Sequence, residues 1–345
     1  MSELKPMIKT KSSRVIILAI LLILGISLAG YHMLLMQLEP VDPSDSKYID
    51  IRIEENSTAT EVAQLLHRHQ LIRNTDVFLA YCRHKGLDSS LKAGHYQFNR
   101  SQSLPEIAAA IAAGRVMTIS FTIPEGYTVE KIGRLLDEKG ICTFVEWQDA
   151  INATYDYPFL QQANPGEGKP YLEGFLFPDT YVIAEDTSAV EIVKAMLENF
   201  QKTWEEYEQE AINQGLTVYD TVIIASMIER EAMVDREREL ISGVIKNRLQ
   251  KGMLLQVDAT VLYSLGKDEK DVVYLKDLEI DSPYNTYKYA GLPQGPIACP
   301  GQAAIHAALH PEKHDYYYYV SRGDGSHHFS KTYSEHLQAK AQYLD

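Results

Sequence analysis

Ile53-Glu-Glu-Asn-Ser-Thr58, continued by Glu61-Val-Ala-Gln-Leu65-Leu66 and Leu71-Ile72, returns seventy positions later as Ile123-Pro-Glu-Gly-Tyr-Thr128, Lys131-Ile-Gly-Arg-Leu135-Leu136 and Ile141-Cys142. The register holds without a gap, so the two stretches are copies of one supersecondary unit. Each copy predicts a strand, a turn closed by a threonine N-cap, an amphipathic helix, and a second helix over Asn74–His84 or Phe144–Asn152. The match resumes after a longer insertion in the second copy. Leu91-Lys-Ala-Gly94-His-Tyr-Gln-Phe98 with Ser103-Leu-Pro-Glu-Ile-Ala parallels Leu172-Glu-Gly174-Phe-Leu-Phe-Pro-Asp-Thr-Tyr181 with Ser188-Ala-Val-Glu-Ile-Val. Each copy therefore reads β-α-α-β followed by a connecting helix.

That pattern resembles a LysM module, which binds glycans containing N-acetylglucosamine. It serves equally as a duplicated scaffold that touches no sugar, because β-α-α-β is a general packing solution.

Upstream of the repeat, Val15 to Met36 carries no Asp, Glu, Lys or Arg. At about 1.5 Å per residue such a helix matches a bilayer core. Lys5, Lys9, Lys11 and Arg14 precede it, and Glu39, Asp42 and Asp45 follow. The positive-inside rule then puts the N-terminus in the cytoplasm and the bulk of the chain outside. Tyr31-His-Met-Leu-Leu-Met is a poor cleavage site, which favours an uncleaved anchor over a signal peptide.

The expected division is a cytoplasmic tail (1–14), a transmembrane helix (15–36), a linker (37–48), a LysM-like module (49–118), a second LysM-like or linking module (119–200) and a catalytic domain (201–345). The fold class is α+β, with the last domain mainly helical and carrying a small β-hairpin. Glu191–Gln214 reads as one long helix ended by Gly215. Helices over Glu237–Gln250, Asp258–Leu265 and Gln302–Leu309 follow, then strands Tyr316–Val320 and His327–Ser330 and a helix Ser334–Leu344. Between them, Tyr274 to Pro300 is too long and too specific in sequence for an idle linker.

The 345 residues carry a net charge of −14, which argues against nucleic-acid binding. Three cysteines (Cys82, Cys142, Cys299) make no disulfide framework, though one bridge is possible. His306, His310 and His314 stand at i, i+4 and i+8, but Pro311 breaks the helix between the last two and disfavours a zinc site. Ser226 lacks the glycines of a nucleophile elbow, and no phosphate-binding glycine loop appears.

Asp220-Thr-Val-Ile-Ile-Ala-Ser-Met-Ile-Glu-Arg-Glu-Ala232 reads as a helix with Asp220 as its N-cap. On a wheel of about 100° per residue, Glu231 falls within the stripe of Ile224, Met227 and Ile228, and Glu229 falls on the opposite, wet face. A carboxyl on an apolar stripe resists ionising, which suits a general acid. The alternative is a snorkelling glutamate paired with Arg236 or Arg238. A hydrolytic glycosidase would add a second carboxylate, for which Asp258, Glu279 and Asp281 are candidates.

At these residues the chain resembles the endolytic murein transglycosylases, a YceG-like family. The strings that carry the likeness include Ala225-Ser-Met-Ile-Glu-Arg-Glu231-Ala, Leu255-Gln-Val-Asp258, Ser282-Pro-Tyr-Asn-Thr-Tyr287, Gly291-Leu-Pro-Gln-Gly-Pro-Ile-Ala-Cys-Pro-Gly301, Ala307-Ala-Leu-His-Pro311, Tyr318-Tyr-Val320 and His327-His-Phe. Gln294 and Cys299 depart from the residues common there. The resemblance implies a membrane anchor, a LysM-like region and a catalytic glutamate that lands on Glu231. It implies non-hydrolytic cleavage of the MurNAc–GlcNAc β-1,4 bond within peptidoglycan strands, leaving 1,6-anhydro-MurNAc ends. Work beside the peptidoglycan synthases, ending nascent strands, follows from the same likeness, with no metal or organic cofactor required. Gln256, Asp258, Tyr284, Asn285 and Tyr287 are the expected glycan-positioning residues, with Asn285 alternatively a brace for its loop.

Overall fold

The computed structural model describes residues 11–267 and 272–344, with side chains from residue 16 onward. Helices dominate, and the described strands form three two-stranded sheets. The chain divides into two compact units. One runs to Ile119 and takes in Ala184–Asp186; the other holds Ser120–Ile183 and Thr187 onward.

The first helix, α1 (Lys11–Leu38), extends past both ends of the expected apolar stretch. It continues beyond Met36 where Leu38 packs onto the core of the first unit. Its segment Ile16–Leu38 is, by length and composition, long and apolar enough to cross a membrane. Every side chain from Ile16 to Met36 is exposed, an apolar surface that water does not tolerate. Lys5 and Lys9 lie outside the described residues.

The first repeat folds as β1 (Ile49–Ile53), α2 (Ala59–Arg68), α3 (Thr75–Lys85) and β2 (Gly94–Phe98), followed by α4 (Leu104–Ala113). β1 and β2 pair antiparallel with Ile51 opposite Tyr96. Alternation along both strands sends Ile51, Ile53, Tyr96 and Phe98 into a core with Leu66, Phe78 and Ile107. Capping boxes at Thr58–Glu61 and Ser103–Glu106 start α2 and α4, satisfying amide groups that the helix leaves unpaired.

The second repeat gives β3 (Thr118–Thr122), α5 (Val129–Glu138), α6 (Phe144–Ile151), β4 (Thr180–Ala184) and α7 (Ala189–Trp204). β3 pairs with β4, so the β-α-α-β order recurs, with the insertion lying between α6 and β4. Trp147 is fully buried, its indole lying over Gly133 and donating to the Val129 carbonyl at 2.9 Å. The single helix expected over Glu191–Gln214 is broken. α7 stops at Trp204 and α8 (Glu208–Gln214) begins after a tight turn. Glu205, Glu206, Glu208 and Glu210 explain the break: carboxylates are unfavourable at a helix C-terminus and favourable in a first turn.

The remainder comprises α9 (Val218–Glu231), a 3-10 turn (Asp235–Glu237), α10 (Arg238–Gln250), α11 (Asp258–Leu265), α12 (Gln302–Leu309), the hairpin β5 (Tyr318–Ser321) and β6 (His327–Ser330), and α13 (Tyr333–Tyr343). Between α11 and α12 the described chain makes one 3-10 turn, Asp277–Glu279, and is otherwise irregular. One hydrophobic core joins the second repeat to α9, α10 and α12, running from Phe121 and Trp147 through Phe175 and Phe200 to Ile228 and Ile305.

Gly174 shows how closely these parts fit. Its φ is +87°, and a Cβ there would lie 2.6 Å from Pro296 Cβ and from Val222 Cγ1. Gly174→Ala is expected to cost about 2–3 kcal/mol through overpacking and left-handed strain. A urea midpoint lowered at unchanged slope would register it.

Candidate active site

α9 is the central element. Thr217, not Asp220, is its N-cap: the threonine hydroxyl accepts from the Asp220 amide at 3.0 Å, and the Asp220 carboxylate reaches back to Thr217. Asp220 is thus the third helical residue of a capping box. From Thr221 to Ile228 every residue is buried. The helix runs through the core and has no wet face.

That corrects the expectation for Glu229. Its side chain is only 6% exposed and is fully engaged. One oxygen accepts from Arg238 at 3.2 Å, the other from the Gly301 amide at 2.9 Å. Arg238 also pairs with Asp235 and lies 4.0 Å from Glu125. Glu125 in turn packs so tightly on Gly301 that a Cβ there would collide with it. The turn Glu125–Tyr127 is tied to the same loop by Gly126 N–H to Cys299 O at 2.9 Å and Cys299 N–H to Tyr127 O at 2.8 Å. Glu229 therefore clamps three segments together. Arg238 spends itself on this clamp and leaves Glu231 without a guanidinium hydrogen bond from it.

Glu231 is the last residue of α9 and only partly buried. Tyr319 of β5 donates its hydroxyl to Glu231 Oε2 at 3.0 Å. No described group hydrogen-bonds Oε1, and that atom is not sealed from solvent. Burial pushes the carboxyl above the usual range, and the nearby Asp258 charge pushes the same way. The Tyr319 hydrogen bond, His327 and Arg230 act against them. The negative end of the α9 dipole also disfavours a carboxylate there. The group is a held acid with one free oxygen.

Around it stand several of the residues named from sequence. Tyr287 donates to Asp258 Oδ1 at 2.5 Å, and burial and this bond both raise the phenol well above its ordinary value. Asp258 opens α11 and is exposed. Gln256 is exposed and left-handed, with φ +50°, a conformation rarely adopted without a compensating constraint. The constraint here is Thr286, whose carbonyl takes the Gln256 amide at 3.1 Å and whose hydroxyl takes the Val257 amide at 2.9 Å. Arg248 of α10 reaches Gln256 Oε1 at 3.4 Å and the carbonyls of Leu255 and Tyr317 at 2.7 and 2.6 Å.

Tyr284 and Asn285 are placed differently. Both are fully buried. Tyr284 donates to Pro165 O at 2.9 Å. Asn285 gives its amide hydrogens to Leu278 O and Ile280 O, each at 2.8 Å, and accepts from the Tyr287 amide at 3.0 Å. Direct glycan contact is corrected for these two, since their polar atoms are consumed in shaping the loop that presents Tyr287. Of the other candidate carboxylates, Asp281 accepts from Tyr289 at 2.5 Å in an open groove with Leu292 and Gln294. Glu279 lies in the 3-10 turn.

Tyr319 and His327 were not singled out from the sequence as partners of the acid. Both lie in strings that carry the family likeness, Tyr318-Tyr-Val320 and His327-His-Phe, but nothing in the sequence pairs either with Glu231. β5 pairs with β6 so that Tyr319 faces Phe329 and Ser321 faces His327, which puts Tyr319 and His327 on one face. His327 is held by Glu237, to whose Oε2 its Nδ1 donates at 2.8 Å.

Another carboxyl, the buried Glu173, is pushed up to about 7 by burial. It is 2% exposed, and its oxygens take the Val129 amide and the Tyr263 hydroxyl, both at 3.1 Å. A group so enclosed braces α5 against α11 and presents no proton to a ligand. His306 and His310 stack at 3.9 Å, while His314 turns away to Leu240 O at 2.9 Å. Ser226 is buried, bonded to Ile223 O and the Ile297 amide. Cys82, Cys142 and Cys299 are free thiols.

Comparison with known proteins bears on what this site does. The YceG-like family model matches residues 51–342. A Bacillus subtilis (strain 168) protein named endolytic murein transglycosylase is 36% identical over 322 residues, covering 89% of this chain and 88% of that one. A Streptococcus pneumoniae (strain D39) protein of the same name is 30% identical over 342 residues, covering 92% of this chain and 62% of that longer one. The 2.6 Å crystal structure of a yceG-like protein from Listeria monocytogenes aligns at a TM-score of 0.57 and 33% identity, covering 85% of this chain and 99% of that one.

Proposed function

The chain belongs to the YceG-like family, and from that membership we propose that it is an endolytic peptidoglycan transglycosylase with Glu231 as its acid and base. The observation that carries the reading is the setting of Glu231: pushed above the usual carboxyl range by burial, held at one oxygen by Tyr319, free at the other. The free oxygen donates its proton to the glycosidic oxygen between MurNAc and GlcNAc. As the C1–O4 bond breaks, positive charge gathers at C1 of MurNAc. Its own C6 hydroxyl adds there, and the Glu231 carboxylate takes the hydroxyl proton. One 1,6-anhydro-MurNAc end and one free GlcNAc 4-hydroxyl result, no water is consumed, and Glu231 ends protonated as it began.

Gln256, Asp258 and Tyr287 are the side chains we assign to glycan positioning, with Tyr284 and Asn285 shaping their loop. The apolar helix α1 supports anchoring in the cell membrane, with the N-terminus cytoplasmic and the catalytic unit outside among the glycan strands it cuts. The two β-α-α-β repeats are LysM-like in order and fit glycan-binding modules or a duplicated scaffold, and the last unit serves as the lytic-transglycosylase-like domain. In this setting the enzyme ends nascent strands beside the peptidoglycan synthases.

A hydrolytic muramidase is the second reading, favoured by Asp258, the carboxylate whose charge reaches Glu231. Digestion in water enriched in oxygen-18 separates the two. Transglycosylation leaves the fragments unlabelled; a label in each new reducing end would establish hydrolysis.

Tyr319 supplies a pH prediction. Its hydrogen bond lowers the Glu231 pKa, so Tyr319→Phe lets it rise and keeps the acid protonated to higher pH. The basic limb of the rate profile should move up. At the optimum the rate should fall about tenfold, because a donor to the developing carboxylate is lost. Asp258→Asn should move the same limb down, since it removes a charge that raises Glu231. Rates of glycan cleavage between pH 4 and 9 give both shifts, and shifts in the same direction would contradict the assignment.

A further inference from the structure

Glu237 is an unusual expenditure. Its side chain is 6% exposed, and burying a carboxylate costs several kcal/mol unless it is well paired. Both oxygens accept from the backbone amide of one residue, His327, each at 3.1 Å. Oε2 also takes His327 Nδ1 at 2.8 Å. A carboxylate can only accept, so Nδ1 is the donor of this hydrogen bond. In the neutral imidazole this leaves the lone pair on Nε2.

No described group hydrogen-bonds Nε2, and the atom is not closed off from solvent. The ring is otherwise confined. Its side chain is 10% exposed, edge-on to Tyr319 at 5.3 Å and to Phe329 at 6.3 Å. Tyr319 is the residue that holds Glu231. A fixed imidazole thus stands on the same hairpin face as the partner of the acid. The mechanism above uses neither Glu237 nor His327.

We propose that His327, fixed by Glu237, is a substrate-contact residue whose Nε2 accepts a hydrogen bond from a hydroxyl or acetamido N–H of the sugar bound at Glu231. Glu237 is the positioning residue that sets the tautomer and the ring plane. The pattern matches other sites in which a carboxylate behind a histidine orients the working nitrogen. The occupant is an amino-sugar glycan, so the inference rests on the reading of Glu231 as a glycan-cleaving acid.

The competing role is a latch, with Glu237 merely pinning the start of β6. Two substitutions distinguish them. In His327→Asn the amide nitrogen replaces Nδ1 as donor to Glu237 and the distal acceptor is lost. In His327→Gln the side-chain oxygen replaces the distal acceptor and the bond to Glu237 is lost. The measurement is binding of purified, peptide-free glycan strands to the chain carrying Glu231→Gln, by calorimetry, alone and with each His327 substitution added, alongside melting temperatures. Contact through Nε2 predicts that His327→Asn weakens binding 10- to 100-fold at unchanged melting temperature, while His327→Gln retains more binding but melts lower. Undiminished binding with His327→Asn would overturn the contact and leave the Glu231 reading standing. Failure of the Glu231→Gln parent to bind glycan at all would overturn both.

Discussion

Glu231→Gln is expected to reduce glycan cleavage by about 10³-fold or more, with the fold and melting temperature preserved. A positioned general acid contributes roughly 10²–10⁴, and here one carboxyl serves both proton transfers. Glutamine keeps the size and the acceptor for Tyr319, and it removes only the proton that must move. Because burial disfavours the charged form of Glu231, the neutral amide suits the same surroundings. Stability should be unchanged or slightly increased. A variant that unfolds, or one that cleaves at the parent rate, would each contradict the role given to Glu231.

Two residues earlier the same substitution should do something different. Glu229→Gln is expected to destabilise the protein by about 3 kcal/mol, because breaking one side of a buried pair leaves the other charge uncompensated. Arg238, 11% exposed at its side chain, would be that charge. For a unit of this size the melting temperature should fall by roughly 6–12 °C. Activity should be lost chiefly through unfolding and return in part on cooling. The clamp from Glu229 to Arg238 and Gly301 makes the effect cooperative, since it joins α9, α10 and the loop before α12. A melting temperature within a degree of the parent would show that the pair is not stabilising. On the proposed reading, the two glutamates of Glu-Arg-Glu divide into one that holds the site together and one that reacts.

The architecture was legible where local signals agreed with burial. Threonine N-caps at Thr58 and Thr128 marked helix starts that the structure keeps. The seventy-residue repeat disclosed β-α-α-β before any pairing was known. The wheel placed Glu231 on an apolar stripe, and burial is the main cause of its raised pKa. The same wheel misjudged Glu229. A wheel gives each helix a solvent side, and α9 has none, because α10, α11 and α12 pack around it. Which polar group such a helix retains depends on partners distant in the chain. Arg238 and Gly301 for Glu229, and Tyr319 for Glu231, come 9, 72 and 88 positions away. Tyr284 and Asn285 were hidden for a related reason: an irregular loop must satisfy its own backbone groups, and its most distinctive side chains can be spent doing so.

A single partly buried carboxyl is proposed to cut the strand without water. Mass spectrometry of peptidoglycan strands digested by residues 38–345, beside the same fragment carrying Glu231→Gln, tests it most directly. Internal fragments ending in 1,6-anhydro-MurNAc are expected with the parent, and intact strands with the variant. Fragments ending in reducing MurNAc, or anhydro ends that persist in the Glu231→Gln digest, would contradict it.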